Sequence, residues 1–94
     1  MLSQLPTDFT KVPSPQLDRE ILRAAMIAEL DAVSFYEQMA ALANDHDLRA
    51  VLMDIAKEEK THMGEFQTML LRLDLEQVTE LEAAEREIQN ITGK

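Results

Sequence analysis

The chain has no cysteine. Disulfide scaffolds and thiolate metal sites are therefore excluded, which leaves carboxylate and imidazole as metal ligands. Nor does any stretch reach the ~20 consecutive apolar residues that a membrane span requires. The N-terminus lacks the basic and apolar segments of a signal peptide, so a soluble cytoplasmic protein is the expectation. Basic residues are scarce: nine Lys and Arg stand against eighteen Asp and Glu, for a net charge of −9. They are scattered singly or beside acids, so the sequence carries no electrostatic footprint for nucleic acid. With only two glycines and 46% hydrophobic residues, the composition suits packed helices better than a disordered chain.

Ninety-four residues make one small domain at most. A lone helical hairpin of this size has a thin core, for which oligomerisation is a remedy. Residues 1–13 contain Pro6 and Pro13 and show no clear period, so they read as an extended arm. Ser14-Pro15 predicts a helix start, with serine as N-cap and proline at the first helical position. The expected helical domain covers 14–94, with helices over about 15–43, 47–73 and 75–90. Residues 44–47 form a short polar turn in which Asp47 is available as a cap. Asp74-Leu75-Glu76-Gln77 resembles a capping box that opens the third helix, and Gly93 marks its stop. There is no strand signal, so the fold class is all-α.

The helical faces carry the chemistry. On the first helix Leu22, Ala25, Met26, Val33, Tyr36 and Ala40 lie within roughly 60° of Glu29. On the second, Leu52, Ile55, Ala56, Met63, Phe66 and Leu70 surround the direction of Glu59, with His62 beside it. Each apolar stripe is interrupted near its middle by ionisable groups and almost nowhere else. Glu59 and His62 are three residues apart, so they project from one helical face. Turn symmetry then places Glu29 level with them, since Glu29 precedes the expected loop centre by as much as His62 follows it.

Burying an isolated carboxylate costs several kcal/mol, so Glu29 and Glu59 need compensation. A divalent metal supplies it, because carboxylate oxygens with an imidazole suit iron or manganese. The competing reading is a pair of buried acids salt-bridged to His62. Ferritin-type two-metal centres use two Glu-x-x-His pairs and two further glutamates. One chain offers half of that set, and a twofold pair of hairpins supplies the whole of it inside a four-helix bundle. Tyr36, one heptad from Glu29, reads either as a hydrogen-bond partner of a ligand carboxylate or as a core tyrosine. Glu58 and Glu65 flank His62 at the stripe boundary, as solvated glutamates or as groups that pass cations inward. His46 in the turn reads as a surface residue, and five methionines besides Met1 suit core filling. A second apolar strip on the first helix includes Ile21, Ala24, Ala28, Phe35, Met39 and Leu42. Either the third helix covers it, through Val78, Leu81, Ala84, Ile88 and Ile91, or it marks a second interface.

The stretch Ala28-Glu29-Leu30-Asp31-Ala32-Val33-Ser34-Phe35-Tyr36-Glu37-Gln38, followed by Lys57-Glu58-Glu59-Lys60-Thr61-His62, resembles the encapsulated ferritins. These are half-sized ferritin-like proteins carried as cargo inside encapsulin shells. The similarity runs from about Ile21 to Leu73. It implies an annular decamer of five dimers, with a ferroxidase centre of two iron ions in each dimer interface. By position, Glu29, Glu59 and His62 match the metal ligands and Tyr36 the tyrosine beside the centre. Asp31, pointing away from the core on the helical wheel, matches an acid that attracts incoming ions. Ala28 stands where some members have another. The implied chemistry is oxidation of Fe(II) to Fe(III) with oxygen as acceptor, and manganese, zinc or calcium are able to substitute for iron. Such a ring encloses no mineral cavity, so storage falls to the encapsulin shell, inside the cytoplasm. Members reach the shell through a short apolar and basic C-terminal tail. Ile91-Thr92-Gly93-Lys94 is not such a tail, so either it is missing from this stretch or shell targeting takes another form.

Three functions compete at this point. The leading one is a ferroxidase with a di-iron site shared between subunits. The others are a non-catalytic helical assembly module, whose core polar groups fix register, and a manganese- or zinc-binding protein without redox turnover.

Overall fold

Three α-helices make up nearly all of the computed structural model, which describes residues 8–94. They are α1, Ser14–Leu42, α2, His46–Leu73, and α3, Leu75–Thr92. No strand occurs among the described residues. Most of the expected extended arm lies outside them. Its described part is not wholly extended: Phe9–Lys11 form a 3-10 turn, because the Asp8 carboxylate accepts from the Thr10 N–H.

The capping details differ from the sequence reading at both long helices. Pro13, not Ser14, precedes α1, and its carbonyl accepts from Gln16 N at 2.9 Å. Ser14 is already helical, so it cannot serve as the cap. Asp45, not Asp47, caps α2 by accepting from Leu48 N at 2.7 Å. Asp47 sits in the first turn, where its charge suits the positive helix end. Arg49 reaches back to the Ala43 carbonyl at 2.7 Å and ties the two helix ends together.

With α1 ending at Leu42 and α2 starting at His46, the turn centres on Asn44. Glu59, rather than His62, is then the residue equidistant with Glu29 from the turn. The antiparallel pair is closed by buried Val33 and Ala40 on α1 against Ala56 and Leu70 on α2. Two alanines at this seam let the helix backbones approach closely. The cost is a thin core, in which no large side chain among the described residues is fully buried.

Asp74 is the corner of the molecule. Its N–H donates to Leu70 O at 2.9 Å, ending α2, while its carboxylate accepts from Gln77 N at 3.1 Å, starting α3. Because that N–H is already taken, only one half of the capping box forms. Arg23 of α1 binds the other carboxylate oxygen at 3.0 Å. The hydrogen bond to Glu20 is the main influence holding the Arg23 guanidinium above its ordinary pKa; partial desolvation opposes it, and Asp74 adds to the rise. Gly93 closes α3 in the left-handed conformation (φ 79°), which glycine adopts without a Cβ penalty.

The expected cover of the second α1 strip by α3 is not observed. Among the helices α3 touches only α2, and it buries none of its residues. Ile21, Phe35 and Leu42 of that strip stay exposed. The molecule measures 46 × 44 × 19 Å. Two packed helices explain a length of about 44 Å and a width of about 20 Å. The second long dimension is α3 projecting outward.

Candidate metal centre

Glu29 on α1 and Glu59 and His62 on α2 converge beside the hairpin seam. The imidazole Nδ1 of His62 lies 3.7 Å from Glu29 Oε2 and 3.6 Å from Glu59 Oε2. One donor atom from each residue falls within 4.8 Å of the others. These separations are too long for hydrogen bonds. Among the described residues, Glu29 Oε2 is buried and has no hydrogen-bond partner.

An orphaned carboxylate oxygen in a thin core is a net cost unless something else binds it. The His62 ring nitrogen is within ion-pair distance of both acids, but that pairing requires a protonated ring and leaves Glu29 Oε2 without a hydrogen bond. A metal ion about 2.0–2.6 Å from each donor spans donor pairs up to roughly 5 Å apart. Two carboxylate oxygens and one imidazole nitrogen are also a donor set that iron, manganese or zinc accept. The residues fit a divalent ion.

Both acids are mostly covered, whereas the His62 side chain is 47% exposed. A groove of about 290 Å³ leads to it, lined by Glu29, His62, Glu65 and Phe66. Glu65 therefore stands at the mouth of the site. Glu58 is exposed on the same helix. Lys60, in the middle of the Glu-x-x-His stretch, turns the other way and pairs with Glu37 of α1 at 3.2 Å.

Two expectations change here. Asp31 does not point to solvent: it is only 9% exposed and engaged in an interaction of its own. The wheel put it outside because it lies about 200° around α1 from Glu29, but α1 buries its far side there, as Ala24 one heptad earlier also shows. Tyr36 packs its ring against Phe35 at a centroid distance of 5.8 Å. Its hydroxyl makes no hydrogen bond to Glu29, Glu59 or His62 in this chain. Sequence reasoning found the Asp74 cap on Gln77 but missed Arg23 as its partner; an arginine on the facing helix is too common a pattern to single out.

No helix of the described residues is long and apolar enough to cross a membrane. Comparison with known proteins places the chain more closely. The EncFtn-like family model matches residues 7–84. A ferritin-like–encapsulin shell fusion protein of Pyrococcus furiosus is 55% identical over 74 residues, 79% of this chain and 21% of that protein. The encapsulin nanocompartment cargo protein EncC of Myxococcus xanthus is 31% identical over 85 residues, 87% of this chain and 65% of its own length. The chain thus spans about a fifth of the first relative and just under two thirds of the second. The crystal structure of the encapsulated ferritin domain from Pyrococcus furiosus superposes with a TM-score of 0.83 at 47% identity, covering 100% of this chain and 98% of that one.

Proposed function

The chain belongs to the EncFtn-like family, and from that premise we propose that it is a ferroxidase acting as cargo of an encapsulin shell. Iron is its substrate. Glu29, Glu59 and His62 of one copy supply half of a two-metal site, and the same three residues of a second copy supply the rest. The observation that carries this reading is the buried, unpartnered Glu29 Oε2 facing Glu59 and His62 within 4.8 Å.

The second copy follows from the first. Two carboxylates and one imidazole do not satisfy two ions, whereas a ferritin-type centre uses four carboxylates and two imidazoles. The side of the hairpin onto which His62 opens also carries exposed Ile21, Met69 and Leu73, which line one groove with Asp18 and Leu22. Pairing two such sides about a twofold axis buries these apolar groups and joins the half-sites. Further assembly to a ring of five dimers is part of the same proposal.

In the reaction each Fe(II) loses one electron, and dioxygen takes up the electrons together with protons from water. The residues of this chain gather and hold the ions. Their anionic oxygens neutralise the added charge as iron passes from Fe(II) to Fe(III), and a covered site strengthens that attraction. Glu65 at the groove mouth is the first carboxylate an arriving cation meets, and Glu58 lies exposed about two helical turns away. Asp31, buried away from this groove, lies off the route. Tyr36 is placed near enough in the heptad to steady a ligand carboxylate once the second copy is present. Shell residence follows the relatives' printed roles as an encapsulin cargo and a shell fusion.

Aerobic addition of Fe(II) to the purified chain, followed by ferric absorbance, tests the activity. Glu59→Ala and His62→Ala are expected to slow oxidation at least about tenfold, as loss of metal-orienting groups does. Wild-type rates in both variants would sink the site. Metal analysis should give about one tightly bound iron per chain, since two ions are shared by two chains.

A further inference from the structure

Core filling does not account for all the methionines. Met26, Met39 and Met63 are partly covered, whereas Met53 and Met69 are 46% and 45% exposed. A thioether fills apolar gaps well, so an exposed one gains little from packing. The two exposed ones are placed differently. At ~100° per residue, Met69 lies one heptad after His62 on the same face of α2, and Met53 lies on the opposite face. Their distances from His62 along the helix are similar, about 10 and 14 Å at ~1.5 Å per residue.

The surface joins Met69 to the metal residues. Glu65 borders the groove over Glu29 and His62, and it also borders a second groove, which runs past Gly64 and Thr68 to Met69. Gly64 has no side chain, and nothing lies within 4 Å of the place where one would begin. The floor of this second groove is therefore open.

Arg72 prepares the sulfur for oxygen. Its guanidinium Nη1 lies 3.9 Å from Met69 Sδ. A thioether is a weak acceptor, whereas a sulfoxide is polar and accepts through oxygen. Adding that oxygen gives the guanidinium a better partner than it has now, so the oxidised side chain would not be left unsatisfied.

We propose that Met69 is an oxidation site served by the metal centre, taking up hydrogen peroxide released there. The inference rests on the proposed iron oxidation. Two Fe(II) give up two electrons, and dioxygen with two protons becomes one hydrogen peroxide. The Met69 sulfur then attacks one peroxide oxygen. The O–O bond breaks, a sulfur–oxygen bond forms and the other oxygen leaves as water. Sulfur is oxidised to the sulfoxide and peroxide is reduced. In the proposed pair this face of α2 turns inward, so peroxide made at the metal residues meets Met69 before it reaches bulk water. Each thioether serves once, until an enzymatic reduction restores it.

Peptide mass spectrometry of the full chain reads the added oxygen. After aerobic Fe(II) addition with catalase in the solution, Met69 should carry it at least about fivefold more often than Met53. The comparison is zinc-loaded chain treated with hydrogen peroxide and no iron. There Met53 should be oxidised at least as fast as Met69, because the pair covers Met69 from outside. Met69→Leu, a volume-conserving swap, should raise the hydrogen peroxide released per iron oxidised when catalase is left out. Equal oxidation of Met53 and Met69 during iron oxidation overturns the inference, as does the same preference for Met69 with added peroxide alone. An unchanged peroxide yield in Met69→Leu overturns it too. In those cases ferric absorbance still appears and the function stands; no ferric absorbance at all would overturn both.

Discussion

Arg23 and Asp74 lie 51 residues apart in sequence and 3.0 Å apart in space. Asp74 is at the same time the end of α2, the cap of α3 and the anchor of α1, and its side chain is nearly covered. Asp74→Ala removes the cap and the anion together, leaving Gln77 N–H without its acceptor. The expected loss is about 1–2 kcal/mol, the usual size for a lost N-cap aspartate. Asp74→Asn keeps an acceptor at the cap and should cost less. Urea denaturation at fixed protein concentration checks this, and an Asn variant as weak as the Ala variant would show that the ion pair, not the cap, holds the corner.

Lys60 stands between the two halves of the Glu-x-x-His motif but belongs to the other side of α2, where it pairs with Glu37. Both side chains are substantially exposed, so solvent screens the pair. Lys60→Ala should change stability by less than about 1 kcal/mol. Iron oxidation should stay within twofold of wild type. A large loss of activity would mean that the motif acts through its middle, contrary to the geometry.

Metal should bind the assembled form and not the unfolded chain. With ion at a hundred times its dissociation constant, linkage supplies about 2.7 kcal/mol, which raises the melting temperature of a chain this size by on the order of 10 °C. Manganese or zinc tests this without redox turnover, and a chelator should reverse it. Scanning calorimetry that shows no shift with any divalent ion would favour a plain assembly module.

The sequence displayed its helices and the meeting of Glu29, Glu59 and His62, because both depend on local period and on the position of one turn. Even there the turn centre moved to Asn44, which made Glu59 the level partner of Glu29. What it hid was tertiary. Asp31 looked solvent-facing on a wheel that knew only one buried side of α1. The apolar face of α3 looked like a cover for the second strip, because helical spacing shows that a face is apolar without showing what packs on it. The corner at Asp74 then aims that helix away from α1, a choice set by one cap and one ion pair.

Glu29→Gln separates a metal ligand from a structural acid. The variant keeps the shape of the side chain and removes its charge. If Glu29 were part of a salt bridge that holds the hairpin, the neutral amide would destabilise the metal-free protein. Among the described residues Glu29 Oε2 is buried without a hydrogen bond, and the His62 ring, 3.7 Å away, is charged only when protonated. Neutralising a covered carboxylate oxygen that has no hydrogen-bond partner relieves a desolvation cost, so the change should be neutral or stabilising. Metal-free Glu29→Gln should therefore melt at or above the wild-type temperature, yet lose the rise that metal produces and oxidise iron at least about tenfold more slowly. A lower melting temperature without metal, combined with normal oxidation, would instead make Glu29 a register-fixing core group and leave the iron to other residues.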